Sequence, residues 1–84
     1  MPREIAYRKE ASRTLRRIPR NEAERIIAKI EQFAADPASL GNNVKALVGL
    51  GLIRLRVGDW RVIMDDTGLV LMVLKVGPRG GVYE

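Results

Sequence analysis

Apolar positions in the first half of the chain recur with helical spacing. Ala11, Leu15 and Ile18 fall at i, i+4 and i+7, one stripe of an amphipathic helix, and Pro19 interrupts that pattern. Ala23, Ile26, Ile27, Ile30, Phe33 and Ala34 resume the helical period until Asp36-Pro37, a pair that stops a helix. Asn21 followed by Glu24 predicts a reciprocal cap at the start of this second helix. Ahead of both, Glu4-Ile5-Ala6-Tyr7 alternates and predicts a short N-terminal strand. From Gly49 onward the period becomes two. Residues 52–57 place Ile53, Leu55 and Val57 on one face and Leu52, Arg54 and Arg56 on the other. Gly58-Asp59 predicts a two-residue hairpin turn of the type with glycine first, leading into a strand over 60–65. Asp66-Thr67-Gly68 predicts a second turn, and the nearly all-apolar stretch 69–76 a central strand. The expectation is one α+β domain over residues 1–84. It has an N-terminal strand, a two-helix hairpin, and a three-stranded antiparallel meander forming one small sheet packed on the helices.

The predicted hairpin register has a chemical consequence. A two-residue turn at Gly58-Asp59 sets Val57 opposite Trp60, Arg56 opposite Arg61, and Arg54 opposite Ile63. Arg54, Arg56 and Arg61 then share one sheet face, while Ile53, Leu55, Val57, Trp60, Val62 and Met64 point at the helices. Two guanidinium groups directly opposite each other cost roughly 0.2–1 kcal/mol, and an anion lying between them reverses the sign. The alternative is that both side chains splay into water, where the repulsion is screened. Arg79 and Tyr83 follow the last long strand and are within reach of the same face. Four guanidinium groups and one phenol around a groove make a phosphate site suited to charge developing on a nonbridging oxygen. Cations near Tyr83 favour its phenolate; an edge-capping aromatic beside the terminus is the other reading of that residue. Trp60 and Tyr7 are expected to be core rather than stacking platforms.

Composition sharpens this. Fifteen Lys+Arg against ten Asp+Glu give a net charge of +5, and eleven of the fifteen are Arg. Arginine's planar fork suits phosphate and carboxylate better than a lysine ammonium does, so an anionic partner is expected beside the plainer reading of a solvated basic face. Arg13, Arg16, Arg17 and Arg20 lie off the first helix's apolar stripe and face water or a ligand. The chain has no Cys and no His, which removes disulfides, thiol nucleophiles, the usual zinc ligands and the imidazole acid–base pair. Asp65-Asp66 has no third carboxylate beside it, so neither metal nor cofactor is expected. Gly49-Leu50-Gly51 opens no helix and precedes no Lys-Ser/Thr pair, so no nucleotide-binding loop is supported. No apolar run approaches the roughly 20 residues of a membrane span, and Met1-Pro2-Arg3-Glu4 lacks a secretory apolar stretch. A cytoplasmic, membrane-free protein is expected.

The chain resembles the RelE/ParE family of bacterial toxin–antitoxin toxins, and its RelE branch more than the other. The resemblance rests on residues 11–15 with Ile18-Pro19, on Lys45-Ala46-Leu47, on the run Ile53 to Val62 that reads IRLRVGDWRV, and on Val73 to Arg79 leading to Val82-Tyr83. It implies a helical hairpin on an antiparallel sheet and cleavage of mRNA in the ribosomal A site. There the 2′-hydroxyl attacks the adjacent phosphate, and Arg, Lys and Tyr side chains work without a metal. Carried onto this sequence, Arg54, Arg61, Arg79 and Tyr83 match the catalytic positions. Arg56, Lys75, Arg13 and Arg17 are the expected RNA contacts. Leu52 stands where RelE toxins of the best-studied kind carry Lys, and Pro78 replaces a common His or Lys. The resemblance further implies an acidic cognate antitoxin, a toxin–antitoxin hetero-oligomer, and the ribosome and mRNA as targets. Two other readings remain at this stage: a ParE-like DNA gyrase poison that needs no nuclease constellation, and an inactive antitoxin-binding module.

Overall fold

The computed structural model describes residues 3–81. In chain order it contains β1 (Glu4–Tyr7), α1 (Lys9–Arg17), α2 (Arg20–Ala35), a stretch of 3₁₀ turns over Pro37–Asn43, β2 (Val44–Leu47), β3 (Leu52–Val57), β4 (Trp60–Asp66) and β5 (Val70–Pro78). The α+β expectation holds, with one correction. The sheet has five strands in the order β1-β5-β4-β3-β2, because the antiparallel meander gains a fourth member in β2. Val44-Lys45-Ala46-Leu47 is short and half of it is Lys and Ala, weak strand formers, so its alternation is not distinctive. β3 holds it in place, with Lys45 opposite Arg54 and Leu47 opposite Leu52. β1 pairs parallel to β5, with Ile5 opposite Leu71 and Tyr7 opposite Val73. α1 provides the crossover start, and the Arg8 amide continues the ladder to the Val73 carbonyl at 2.9 Å.

One face of the sheet takes the helices. Ile26, Ile30 and Phe33 of α2 and Ala11 of α1 bury against Leu55, Val57, Val62, Met64, Leu71 and Val73, with Leu40 closing one end. Trp60 and Tyr7 pack against this core, as their positions in the pattern predict. The predicted Asn21–Glu24 cap is not made. Helix α2 begins at Arg20 with Pro19 as its N-cap and no side-chain cap. The Pro19 carbonyl accepts from the Glu22 and Ala23 amides instead, at 3.0 Å each, and Glu24 lies 3.4 Å from Arg20. Proline's fixed φ sets the helix entry two residues early.

Asp66 and Arg3 lock the N-terminal strand to the β4–β5 turn. Arg3 Nε donates to Asp66 Oδ1 at 2.6 Å, and the Gly68 amide donates to the same oxygen at 2.9 Å. Burial works against the Asp66 carboxylate, but these two bonds and the Arg3 charge outweigh it and hold its pKa below the usual value. A pKa lowered by folding contributes stability that is full above the ordinary carboxylate range and is lost as pH falls through the folded value. Asp66→Asn is therefore expected to cost about 1–2 kcal/mol at neutral pH. Thermal melts of the two proteins should converge as pH falls below the ordinary carboxylate range; a constant gap would refute the linkage. The Tyr7 phenol is shifted the other way, raised by burial and then by the Glu31 charge, so its neutral form belongs to the fold.

Candidate functional site

The sheet face away from the helices carries Arg54, Arg56 and Arg61, and its layout follows from strand register. Arg56 on β3 stands opposite Arg61 on β4, and Arg54 opposite Ile63, as the two-residue turn predicts. Gly58 has φ +58°, the conformation the first central residue of such a turn requires. One row across the face therefore runs Arg56, Arg61, Gly77, and the next runs Lys45, Arg54, Ile63, Lys75. Both rows contain a directly opposed pair of like charges, Arg56 with Arg61 and Lys45 with Arg54. Beyond them the face turns apolar at Leu47 and Leu52.

Lys75 reaches this face through an irregularity. Its register partner is Ile63, whereas Val73 pairs with Met64, so Leu74 is an extra residue in β5. The bulge lets Lys75 point outward and Val73 inward although they are two apart. Lys75 Nζ lies 3.9 Å from a Glu10 carboxylate oxygen at the start of α1. Arg13 and Arg17 are exposed on α1 at i+3 and i+7 from Glu10, hence on the same side of that helix. They belong to the helix layer rather than to the arginine rows, and Glu10–Lys75 is one contact between the two.

Two clefts open on the face. The first, about 260 Å³, is mainly apolar and is lined by Leu47, Leu50, Leu52, Ile63 and Leu74, with Arg8, Glu10 and Lys75 at its rim. The second has the same volume and is polar, lined by Asn42, Asn43, Val44, Lys45, Arg54 and Arg56. Of the expected catalytic residues, Arg54 lines this polar cleft. Arg61 is half-buried, and its Nη1 donates to the Gly58 and Trp60 carbonyls at 2.9 Å each. Its guanidinium is thus held by its own hairpin rather than loose in solvent. Arg79 is exposed one residue past β5, and its amide donates to the Asp59 carbonyl at 2.8 Å. The Gly58-Asp59 turn therefore positions both Arg61 and Arg79. Tyr83 lies outside the described residues. Lys45, Asn42 and Asn43 were not singled out from the sequence as site residues; Lys45 sits on the strand whose pattern was too short to read. Among the described residues no three His, Cys, Asp or Glu side chains gather into a metal-binding group, and no helix is long and apolar enough to cross a membrane.

Helix α2 braces the turn. A Cβ on Gly58 would lie 2.8 Å from an Arg25 terminal nitrogen, so the guanidinium of Arg25 rests on the glycine. Gly58→Ala is expected to cost about 1–2 kcal/mol, chiefly from the left-handed backbone, since Arg25 can swing aside. Its melting temperature should fall by roughly 4–8 °C per kcal/mol. An unchanged melt would show that the turn relaxes.

The family model described as the ParE toxin of the type II toxin-antitoxin system, parDE, matches residues 5–83. No curated protein sequence matches. Among solved structures, the chain is similar to one in the archaeal RelE-RelB complex from Pyrococcus horikoshii OT3. Identity is 28%, the TM-score is 0.78, and 96% of this chain and 99% of that one are covered. It is also similar to a chain of the RelBE2 toxin-antitoxin complex from Mycobacterium tuberculosis, at 20% identity and TM-score 0.77 over 94% and 93% of the two chains. Mutant E. coli toxin RelE in the free state matches at 22% and 0.71, over 93% of this chain and 84% of that one. At those two identities the likeness is one of fold.

Proposed function

The chain belongs to the ParE toxin family of type II toxin–antitoxin systems, and from its basic sheet face and its likeness to the RelE-RelB structure we propose that it arrests growth as a ribosome-dependent, metal-free mRNA endoribonuclease. It is the toxin of a toxin–antitoxin pair, with a RelE/ParE fold. The observation that carries the finer reading is the gathering of same-sign register partners on one sheet face, Lys45 opposite Arg54 and Arg56 opposite Arg61. A polyanion lying across such a face is attracted by every cation in it.

In the reaction the 2′-hydroxyl oxygen of one nucleotide attacks its own 3′-phosphorus. The bond to the 5′-oxygen of the next nucleotide breaks, leaving a 2′,3′-cyclic phosphate and a 5′-hydroxyl. One proton leaves the 2′-oxygen and one reaches the departing 5′-oxygen. Arg54, Arg61 and Arg79 neutralise the negative charge that builds on the phosphoryl oxygens, and Tyr83 handles a proton or stacks on a base. Arg56 and Lys75 hold the flanking strand on the sheet face, and Arg13 and Arg17 extend the basic surface along α1. Work of this kind needs no imidazole, which the chain lacks. The partner is an acidic antitoxin that covers the basic face and gains speed and affinity from charge. The site of action is the cytoplasm, where ribosomes and mRNA meet.

Mapping mRNA 5′ ends after induction without antitoxin tests the reading. New ends within translated codons support it, and growth arrest without them overturns it. The second reading, a gyrase poison, draws on the ParE family match and on Leu52, which leaves that end of the face apolar. Gyrase supercoiling and DNA-cleavage assays with the purified chain separate the two.

A further inference from the structure

The polar cleft beside the edge strand contains groups that cleavage itself does not require. Lys45 and Arg54 are register partners, Arg56 lies two residues on, and Asn42 and Asn43 end the 3₁₀ stretch just before β2. Together they line a space of about 260 Å³ in which no lining residue is acidic. Lys45 and Arg56 are exposed and so are open to a ligand. Three cations from two strands select an anion. The two carboxamides add something a simple anion does not need, since each offers both donor hydrogens and an acceptor oxygen. A nucleotide presents that combination, an anionic phosphate beside a base edge that both donates and accepts; a carboxylate presents acceptors alone. Lys45 on β2 and Arg61 on β4 are separated by two strand spacings and a two-residue offset along the strands, about 12 Å in all, so two anion positions are distinct yet within reach of one strand.

Resting on the endoribonuclease reading, we propose that this cleft is a second nucleotide subsite. Lys45 and Arg56 hold the phosphate of a nucleotide flanking the cleaved one, and Asn42 and Asn43 contact the edge of its base. The target is then chosen partly by a base away from the scissile bond.

A short RNA with methylated 2′-oxygens, which cannot be cleaved, is the probe. The full chain is titrated with such trinucleotides of different base composition while backbone amide shifts are followed at several salt concentrations. Shifts are expected at residues 42–45 and 54–56 as well as near Arg61. Lys45→Ala should weaken binding about fivefold or more and flatten the slope of log affinity against log salt by about 0.7. Asn43→Ala should leave that slope unchanged and narrow the affinity differences among bases. Lys45→Gln, which keeps the stem, gives the same slope change if Lys45→Ala disturbs the fold. Shifts near Arg61 alone, with Lys45→Ala and Lys45→Gln binding like the unmodified chain, overturn the subsite and leave the nuclease reading standing. No shift anywhere overturns the subsite, while the mapping of mRNA 5′ ends decides the nuclease reading separately. Equal shifts at 42–45 with an oligoglutamate peptide, and no preference among bases, make the cleft a carboxylate site for an acidic protein and overturn the nucleotide assignment.

Discussion

Induction of an Arg61→Ala variant is expected to leave cells growing, with cleavage slowed by about 10²–10³. The size follows from what Arg61 offers. Its guanidinium is already fixed by two hydrogen bonds to the Gly58 and Trp60 carbonyls, so it meets developing charge without first being ordered. Loss of folding does not account for the effect. Removing Arg61 forfeits those bonds, about 0.5–1.5 kcal/mol each, but also ends the opposition with Arg56, worth roughly 0.2–1 kcal/mol. The net loss is on the order of 1 kcal/mol, so the melting temperature should fall by roughly 4–8 °C, far less than unfolding the protein requires. Arg61→Lys keeps the charge and loses the fork, and an intermediate rate is expected. Full toxicity in Arg61→Ala, with the protein folded and expressed, would remove Arg61 from the mechanism. Tyr83→Phe, made alongside, tests the proton role independently.

The largest stability effect is expected at Leu55. It is fully buried at the centre of β3 and belongs to the cluster that joins the sheet to α2. Leu55→Ala removes buried methyl and methylene groups and leaves a cavity, a loss of about 2–5 kcal/mol. In a chain of 84 residues that is a large share of the total, since small domains hold roughly 0.05–0.15 kcal/mol per residue. The midpoint should fall by on the order of 10–30 °C, or the protein should fail to accumulate. Denaturant melts of the purified variant check it. A loss below about 1 kcal/mol would mean the site collapses around the missing atoms. Toxicity should fall with the folded fraction, in contrast to Arg61→Ala, where toxicity falls and the fold stays.

The antiparallel core of the molecule and its arginine face were readable from residues 52–65. A strand that alternates cannot slip by one residue without turning Arg54 and Arg56 into the core and Leu55 and Val57 into water. With Gly58-Asp59 as the turn, that constraint alone places Arg56 opposite Arg61. The helices were equally plain, because their apolar stripes have only the sheet to bury against. Local sequence could not supply what depends on groups distant along the chain. β2 forms because β3 offers it a ladder, not because its four residues favour a strand. Lys75 faces outward because a bulge at Leu74 reverses the parity of a run that is otherwise apolar throughout. Asp66 is an anchor for Arg3 because 63 positions of chain return to bring them together. The β2–β3 pairing sets Lys45, Asn42 and Asn43 beside Arg54 and Arg56. Alternation and turn type specify which way a side chain points, through the period of the backbone. Which side chains meet is decided by packing, where each contact depends on surfaces that exist only once the sheet has closed on its helices.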